Sequence, residues 1–226
     1  MTPPDGPGAP AVRTFKRRAS RVTTGQRSAL DRLWATYGLP VDGRALDLPA
    51  LFGREAPVVL EIGFGMGEAT AVMAAAQPDR DLLAVDVHTP GHGNLLRLVE
   101  AAALTNVRLA DGDAVLLLRE MLPAASLAAV RAFFPDPWPK SRHHKRRLVT
   151  AAFLRLCTER LVEGGTVHVA TDDASYAAAA AAALRASPGL DVLPTAPWRA
   201  PTRFEGQAVA AGRSIHEVAA ARRLRT

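Results

Sequence analysis

Three acidic residues in the middle of the chain each follow a short apolar run that predicts a buried strand. They are Glu61, Asp86 and Asp113. In a doubly wound sheet, ligands bind at the carboxyl ends of the strands, near the point where strand order reverses. A carboxylate there can complement a positive group, accept hydrogen bonds from ribose hydroxyls, or accept one from an adenine amino group. Alternatively, such acids cap the helices that follow them.

The turn after the first of these acids contains three alternating glycines, Gly63, Gly65 and Gly67. Glycine lets a backbone approach a ligand closely and adopt positive φ. The dinucleotide motif G-x-G-x-x-G, begun at Gly63 and Gly65, would need its third glycine at position 68, where this chain has Glu68. A dinucleotide oxidoreductase is therefore disfavoured. S-adenosylmethionine fits better, because it has no pyrophosphate and its sulfonium and ammonium groups would complement Glu61.

A second group of candidate residues lies in a proline-rich loop after the fourth predicted strand. Pro135, Pro137 and Pro139 stiffen this loop. That stiffness would fix Asp136 and the Trp138 ring at the carboxyl end of the strand, where the cofactor would present its methyl group.

The next eight residues, 140–147, contain five Lys or Arg and two His. The whole chain has a net charge of +6. A basic cluster of this kind binds phosphates and releases counterions, which makes binding salt-dependent. The alternative is a solvated basic helix start. The position of the basic cluster beside the rigid Asp136 favours a nucleic-acid surface.

Elements that could position these residues alternate along the chain. Apolar runs predict strands at 58–60, 82–85, 107–109, 130–134 and 166–170. Helical periodicity predicts helices at 26–37, 69–76, 95–103, 114–122 and 150–161, and the alanine tract 177–183 reads as another helix. This alternation indicates an α/β fold with a Rossmann-like, doubly wound parallel sheet and helices on both faces.

The two parts of the N-terminal region differ in composition. Residues 1–12 are rich in Pro and Gly and predict a disordered tail. We expect residues 13–226 to form one domain, which opens with a basic segment. Its cations are Arg13, Lys16, Arg17, Arg18 and Arg21.

Several of these segments together resemble the bacterial tRNA (guanine-N7)-methyltransferase family, whose members have the class I S-adenosylmethionine-dependent fold. The resemblance runs in order from about residue 13 to the C-terminal part of the chain. It is carried by Arg13-Thr14-Phe15 with Arg18 and Gln26, by 60–67, by 133–138 with Lys140 and Lys145-Arg146-Arg147, by Ala170-Thr171-Asp172, and by Thr202-Arg203-Phe204-Glu205.

The resemblance implies methyl transfer from S-adenosylmethionine to N7 of a guanine in the variable loop of tRNA. It matches Glu61, Asp86, Asp113 and Asp136 to cofactor-site acids, and Asp136 also to the catalytic residue. Positions matched to substrate contacts are Lys140, Asp172, Thr202, Arg203, Phe204 and Glu205. Two departures occur: Arg203 replaces the usual Lys, and Gln207-Ala208 replaces the usual Arg-Gly. Trp138 and Phe204 are candidate surfaces for stacking a base, or core residues.

Other features limit the classes of protein that fit. Cys157 is the single cysteine, which excludes an internal disulfide, and its apolar surroundings predict a core residue. His88 and His92 are four residues apart, but Pro90-Gly91 between them is expected to break a helix, so no metal is predicted. No apolar run is long enough to span a membrane, and no leader is recognisable, so a cytoplasmic protein is expected. Monomer and homodimer remain open.

Two rival functions can be separated by their residues or products. An amino-group nucleic-acid methyltransferase would resemble this chain, but its Asp/Asn-Pro-Pro-aromatic motif is broken at Asp136-Pro137-Trp138. A non-catalytic RNA-binding protein would be expected to lose the cofactor acids, and this chain retains them.

Overall fold

The computed structural model describes residues 21–224. Within that range the chain forms one eight-stranded sheet with helices on both faces. The strands are β1 Gly38–Pro40, β2 Val58–Ile62, β3 Asp81–Asp86, β4 Val107–Asp111, β5 Leu127–Phe133, β6 Leu161–Thr171, β7 Leu190–Val192 and β8 His216–Arg222. The helices are α1 Thr24–Tyr37, α2 Leu48–Phe52, α3 Glu68–Ala76, α4 Thr89–Ala101, α5 Ala114–Leu116, α6 Ala151–Arg160, α7 Ala174–Ala186 and α8 Arg203–Ala210.

The strand order across the sheet is β1-β4-β3-β2-β5-β6-β8-β7. Strands β1 to β6 pair in parallel, whereas β8 pairs antiparallel with both β6 and β7. From β2 the chain runs outward through β3 and β4, then returns to the other side of β2 with β5. The strand order therefore reverses between β2 and β5, which is where a doubly wound sheet binds its ligand.

Two apolar cores confirm that helices cover both faces of the sheet. One lies between the sheet and α1, α3 and α4, and contains Val59, Ala71, Leu95 and Val107. The other lies on the opposite face and contains Leu60 and Val130 with residues of α2, α6 and α7. Cys157 belongs to this second core, where it is fully buried. The prediction of a core cysteine is confirmed.

The predicted elements exist, with differences at their ends. Strand β5 ends at Phe133 rather than at residue 134, because Phe134 takes a left-handed φ of 51° that is incompatible with a continuing strand. The helix predicted over 114–122 is α-helical only through Leu116 and continues as a π-helical turn over Leu117–Met121. Sequence patterns missed β1, β7, β8, α2 and α8.

The predicted tail over residues 1–12 lies outside the described residues, as do Arg13, Lys16, Arg17 and Arg18 of the basic segment. Arg21 is described and exposed. Among residues 21–224, no helix has the length and apolar character needed to cross a membrane.

Candidate active site

The glycine turn after β2 brings backbone to the edge of the sheet. Gly63, Gly65 and Gly67 all have left-handed φ, at +76°, +61° and +83°. A Cβ on Gly91, in the first turn of α4, would lie 1.9 Å from the Gly65 carbonyl oxygen. Helix α4 thus packs directly on the turn. A Cβ on Gly63 would meet no atom within 4 Å, so the other side of the turn is open space.

This open space is part of a cleft with a volume of about 480 Å³ at the carboxyl edge of the sheet. The cleft brings together eight of the residues predicted from sequence for cofactor and substrate: Glu61, Gly63, Gly65, Asp86, Asp136, Thr202, Arg203 and Phe204. Four others do not line it, namely Asp113, Lys140, Asp172 and Glu205.

Glu61 lies at the bottom of the cleft and is 3% exposed. Burial raises its pKa from 4.5 to about 7, and Asp86 adds to this, while Thr70 and Arg131 oppose it. Its Oε2 atom has no hydrogen-bond partner among the described residues. A buried, unpartnered carboxylate oxygen is costly unless a ligand satisfies it. The site therefore suits a group that carries positive charge and hydrogen-bond donors.

Asp86, at the end of β3, is held by three backbone amides. The Gly65 amide donates to Oδ2 at 3.0 Å, and the amides of Val87 and His88 donate to Oδ1 at 2.6 Å and 3.1 Å. These bonds fix the carboxylate at the wall of the cleft beside the glycine turn. Oδ2 accepts only one of these bonds, so it keeps a second lone pair that can accept a hydrogen bond from a ribose hydroxyl.

Asp113 caps the helix that follows it. Its Oδ1 accepts a hydrogen bond from the Val115 amide at 2.8 Å, at the N-terminus of α5. Its neighbours Gly112 and Ala114 line the cleft. The capping role considered from the sequence is therefore present. A contact between Asp113 and an adenine amino group stays a prediction.

The proline-rich loop starts and ends with strained backbone. Phe134 and Trp138 have left-handed φ values of 51° and 44°, and the Phe134 amide donates to the Ala170 carbonyl at 2.7 Å. Such conformations cost about 1–3 kcal/mol each and concentrate at functional sites. Between them, Asp136 lines the cleft.

The Trp138 ring is buried at 5% exposure. The guanidinium of Arg146 lies 4.7 Å from its centroid, and the His143 ring packs edge-on at 5.8 Å. The alternative of a core residue therefore holds for Trp138. Its faces are used within the protein, so Phe204 is the aromatic that remains accessible to a base.

The basic segment 140–147 contains one residue that does not face solvent. Ser141–Arg146 form a 3-10 turn in which Arg142, Lys145 and Arg146 are exposed. Arg147, by contrast, is buried, and donates to the Pro137 carbonyl at 3.0 Å and to the Ser175 hydroxyl at 3.2 Å. Arg147 thus differs from the exposed cations beside it, because it ties the proline-rich loop to α7.

The segment Thr202-Arg203-Phe204-Glu205 forms the start of α8. Thr202 caps this helix and makes a capping box with Glu205. The Glu205 carboxylate also pairs with Arg199, so Glu205 points away from the cleft lining. Arg203 and Phe204 are exposed and line the cleft. Local helix structure therefore explains the polar ends of this segment, and Thr202 lines the cleft together with Arg203 and Phe204.

Lys140 and Asp172 lie beside the cleft rather than in it. Lys140 is exposed and precedes the 3-10 turn. Asp172 directly follows β6 and accepts from Arg213 Nε at 2.8 Å. Both lie on segments that continue the carboxyl edge of the sheet, and their contacts with a substrate stay predictions.

Sequence patterns missed a buried charged layer under the cleft. Arg131 of β5 pairs in register with Glu61 of β2 and donates to Gln77 at 3.0 Å. Burial lowers the Arg131 pKa, and Glu61 opposes that effect. Farther along the sheet, Arg199, Glu217 and His168 form a connected cluster. An arginine inside the apolar run 127–133 was the available signal for Arg131.

Of the two histidines considered as a metal pair, His88 is the N-cap of α4 and His92 lies in the first turn of that helix. Pro90 occupies the first turn of α4, where its missing amide is tolerated, so the expected helix break was wrong. His92 is buried, its Nδ1 lies 3.1 Å from the His88 carbonyl, and its Nε2 lies 3.3 Å from the Ala110 carbonyl. Among residues 21–224 there is no group of three or more His, Cys, Asp or Glu side chains placed to hold a metal.

Similarity to known proteins covers most of the chain. The family model described as "Putative methyltransferase" matches residues 55–218. The tRNA (guanine-N(7)-)-methyltransferase of Streptomyces avermitilis is 54% identical, over 95% of this chain and 79% of the relative. The protein of the same name from Halorhodospira halophila is 49% identical, over 92% of this chain and 93% of the relative.

Solved structures with much lower sequence identity share the fold. The antibiotic-resistance methyltransferase Kmr superposes with a TM-score of 0.53 at 18% identity, over 80% of this chain and 93% of Kmr. TrmN from Thermus thermophilus gives a TM-score of 0.53 at 20% identity, over 78% of this chain and 49% of TrmN. The Rossmann-like methyltransferase fold expected from the sequence is confirmed.

Proposed function

We infer that this chain, which belongs to the tRNA (guanine-N7)-methyltransferase family, transfers a methyl group from S-adenosylmethionine to N7 of a guanine in tRNA. The observation that carries the cofactor assignment is the buried, unpartnered Oε2 of Glu61 beside an open glycine turn. The tRNA substrate follows from relatives up to 54% identical that bear this name. We further propose the variable loop as the target and the cytoplasm as the compartment.

Different residues of the cleft would bind different parts of the cofactor. Glu61 would complement the ammonium and sulfonium end, and the glycine turn would let the methionine part approach the backbone. Asp86 would accept from the ribose hydroxyls, with Asp113 near the adenine. When bound, S-adenosylmethionine supplies an electrophilic methyl group and leaves as the neutral thioether.

The protein's work at the reacting atom is positioning. Guanine N7 already has an in-plane lone pair, so no base is required to remove a proton before attack. Holding N7 in line with the methyl group and excluding water lowers the barrier. Methylation leaves positive charge on the purine, and the Asp136 carboxylate, fixed by flanking prolines, would stabilise that charge.

Recognition of the tRNA combines exposed cations with an accessible aromatic. Arg142, Lys145 and Arg146 are exposed on one turn, and Arg203 is exposed at the mouth of the cleft. They would neutralise phosphates without reading sequence. Proteins that read RNA sequence bind unstacked bases in loops, which favours a loop guanine over one in a helix.

Product mapping tests this function directly. Purified protein, labelled S-adenosylmethionine and unmodified tRNA should yield labelled N7-methylguanosine, and borohydride with aniline should cleave the product at that site. A labelled exocyclic amino group would indicate an amino-group methyltransferase instead. Cofactor binding without any transfer would indicate the non-catalytic RNA-binding protein.

Asp136→Asn tests the role of the carboxylate, with Asp191→Asn, an exposed residue outside the cleft, as the control. Single-turnover rates should fall for Asp136→Asn at every pH. A loss of rate at low pH in the wild type that is absent in the variant would indicate a titrating base and contradict the positioning role.

A further inference from the structure

A buried arginine lies beside the buried acid of the cofactor cleft. Arg131 of β5 and Glu61 of β2 are in register on adjacent parallel strands, and they are 4% and 3% exposed. Leu60 and Val130, the residues before them, belong to the core on the opposite face of the sheet. Because side chains alternate along a strand, Glu61 and Arg131 both project toward the face that α3 covers. Two opposite charges therefore share one buried layer beneath the cleft.

The hydrogen bonds of this arginine go to neutral groups rather than to the acid. Arg131 Nη1 donates to the Met73 sulfur at 3.4 Å, and Nη2 donates to Gln77 Oε1 at 3.0 Å. Glu61 Oε2 has no hydrogen-bond partner in the described part of the chain. Arg131 thus acts on the carboxylate through its charge, and this oxygen is left for a ligand.

The charge of Arg131 favours the ionised form of Glu61. Burial raises the pKa of Glu61 to about 7, and Thr70 and Arg131 oppose this effect, of which only Arg131 carries a charge. Burial likewise lowers the pKa of Arg131, and Glu61 raises it. Opposite charges influence each other's protonation more strongly in a buried layer than in water. Without Arg131, Glu61 would keep its proton at neutral pH and could not pair with an ammonium group.

The other charged groups around this pair do not substitute for Arg131. Asp86, on the β3 side of the acid, raises the Glu61 pKa. His168 of β6 is in register with Arg131, and burial lowers its pKa, so it is neutral above about pH 6.5. Arg80 lowers the pKa of Arg131 and is not among the groups that shift the pKa of Glu61.

We propose that Arg131 is a positioning residue that keeps the Glu61 carboxylate ionised and ready to pair with the ammonium group of S-adenosylmethionine. This rests on the proposed function, since it assigns the positive end of the cofactor to Glu61. Arg131 does not line the cleft, so it acts on the cofactor only through Glu61.

The test follows cofactor affinity against pH in Arg131→Met, with Arg108→Met as the matched control. Arg108 of β4 is also partly buried, but it donates to the Leu51 carbonyl and does not line the cleft. Loss of a nearby opposite charge raises a carboxyl pKa by about one pH unit or more. The Kd of Arg131→Met for S-adenosylmethionine should therefore exceed that of the wild type about eightfold at pH 6.5 and less than about twofold at pH 8.5. Arg108→Met should match the wild type at both.

Proton release gives a second measurement, which a purely structural role of Arg131 would not change. Calorimetry at pH 7 in buffers of different ionisation enthalpy counts the protons released as the cofactor binds. Glu61, with a pKa of about 7, should release about half a proton in the wild type and about 0.9 in Arg131→Met. The cofactor and the other charged residues of the cleft are the same in both proteins, so the difference isolates Glu61. Those residues are Glu68, Asp86, His88, Asp136 and Arg203.

A second neutral variant and a double-mutant cycle separate charge from packing. Arg131→Gln keeps a hydrogen-bond donor for Gln77 but carries no charge, so it should show the same pH dependence as Arg131→Met. In the Glu61→Gln background, Arg131→Met should no longer weaken cofactor binding at any pH, because no carboxylate remains to be ionised.

Three outcomes would overturn the proposal: a Kd ratio that is constant from pH 6.5 to pH 8.5, proton release in Arg131→Met equal to that of the wild type, or equal weakening by Arg131→Met with and without Glu61. Wild-type behaviour of Arg131→Gln would assign the effect to the hydrogen bond with Gln77 and would overturn it as well. A wild type that does not bind S-adenosylmethionine, or binds it without forming N7-methylguanosine, is a different result, which contradicts the proposed function.

Discussion

The buried acid in the cofactor cleft predicts a conflict between stability and cofactor binding. Replacing Glu61 with Gln keeps the size of the side chain but removes its charge. Burial raises the Glu61 pKa to about 7, from an ordinary value of 4.5. Since glutamine resembles the neutral, protonated acid, we expect Glu61→Gln to stabilise the free protein at high pH and to weaken its binding of S-adenosylmethionine.

The interval between those two pKa values sets the size of the effect on stability. At about 1.4 kcal/mol per pH unit, it corresponds to about 3 kcal/mol of unfolding free energy. The folded state holds its proton more tightly than the unfolded state. The stabilising contribution is therefore complete below about pH 4.5 and is lost as the pH rises through about 7. For a chain of this size, 3 kcal/mol shifts the melting temperature by about 6–12 °C.

Thermal unfolding at pH 5 and pH 8, without cofactor, measures this directly. Between pH 5 and pH 8 about 2.5 kcal/mol of this contribution is lost, so the melting temperature of Glu61→Gln minus that of the wild type should grow by about 5–10 °C. Glu159→Gln, which changes an exposed glutamate, should show no such growth. Because both proteins share every other titrating group, the difference isolates Glu61.

Binding calorimetry should show the opposite effect on the cofactor, whose affinity Glu61→Gln is expected to lower. Loss of a buried charge partner costs about 2–3 kcal/mol, so Glu61→Gln should bind S-adenosylmethionine about 30- to 150-fold more weakly at pH 8. The α-amino group of the cofactor also titrates near this pH, so the ratio of the two proteins' Kd values is the quantity to follow. A ratio that stays constant from pH 6 to pH 8, or a pH-independent difference in melting temperature, would refute the reasoning.

The remaining predictions concern a glycine contact beside the cleft, the basic segment 140–147 and the core cysteine. Gly91→Ala should weaken cofactor binding more than about tenfold in calorimetry, because its Cβ would lie 1.9 Å from the Gly65 carbonyl oxygen, whereas Gly25→Ala, with ordinary contacts at 3.6 Å, should not. Arg147→Ala should lower the unfolding free energy by about 2–4 kcal/mol in denaturant titrations, since it leaves buried acceptors unpaired. Lys145→Ala should instead keep stability and reduce the salt slope of tRNA binding by about 0.7–0.9; equal melting temperatures of the two variants would contradict this division. Burial raises the pKa of the Cys157 thiol, so alkylation of native protein should be negligible and should become complete after unfolding. Rapid labelling of the folded chain would show that the core opens there.

The sequence could predict the parallel part of the sheet because a strand buried on both faces appears as a local run of apolar residues. Strands β2 to β6 are buried on both faces, so each appears as a run of Val, Leu and Ala. Strand β8 leaves no such trace, because its central residues are alanines, which favour helix by intrinsic propensity. It becomes a strand only by pairing with β6, and that pairing is a tertiary interaction.

The same distinction applies to the candidate site. Glu61, Asp86 and Asp136 could be predicted because they follow recognisable strands, and parallel strands bring their ends to one edge. Arg147 could not be separated from the cations beside it, since charge along the chain does not reveal which side chain turns inward. Its burial depends on the Pro137 carbonyl and Ser175, which come from a loop and a helix distant in sequence.

The cluster around Arg199 explains why the C-terminal segment matters to a site formed by earlier strands. Glu205 and Glu217 lie on α8 and β8, elements that periodicity did not predict, and Arg199 joins both to the aromatic residues at the end of β5. The segment between β7 and α8 thus brings the chain from the sheet edge back to the reaction centre, and β8, which follows, anchors it through Glu217. A motif such as Thr202-Arg203-Phe204-Glu205 then has two separable roles. Thr202 and Glu205 build the helix start and its anchor, whereas Arg203 and Phe204 line the cleft beside Thr202. Substitutions at Glu205, which does not line the cleft, should therefore disturb methyl transfer through geometry, whereas those at Arg203 or Phe204 should act on the bound RNA.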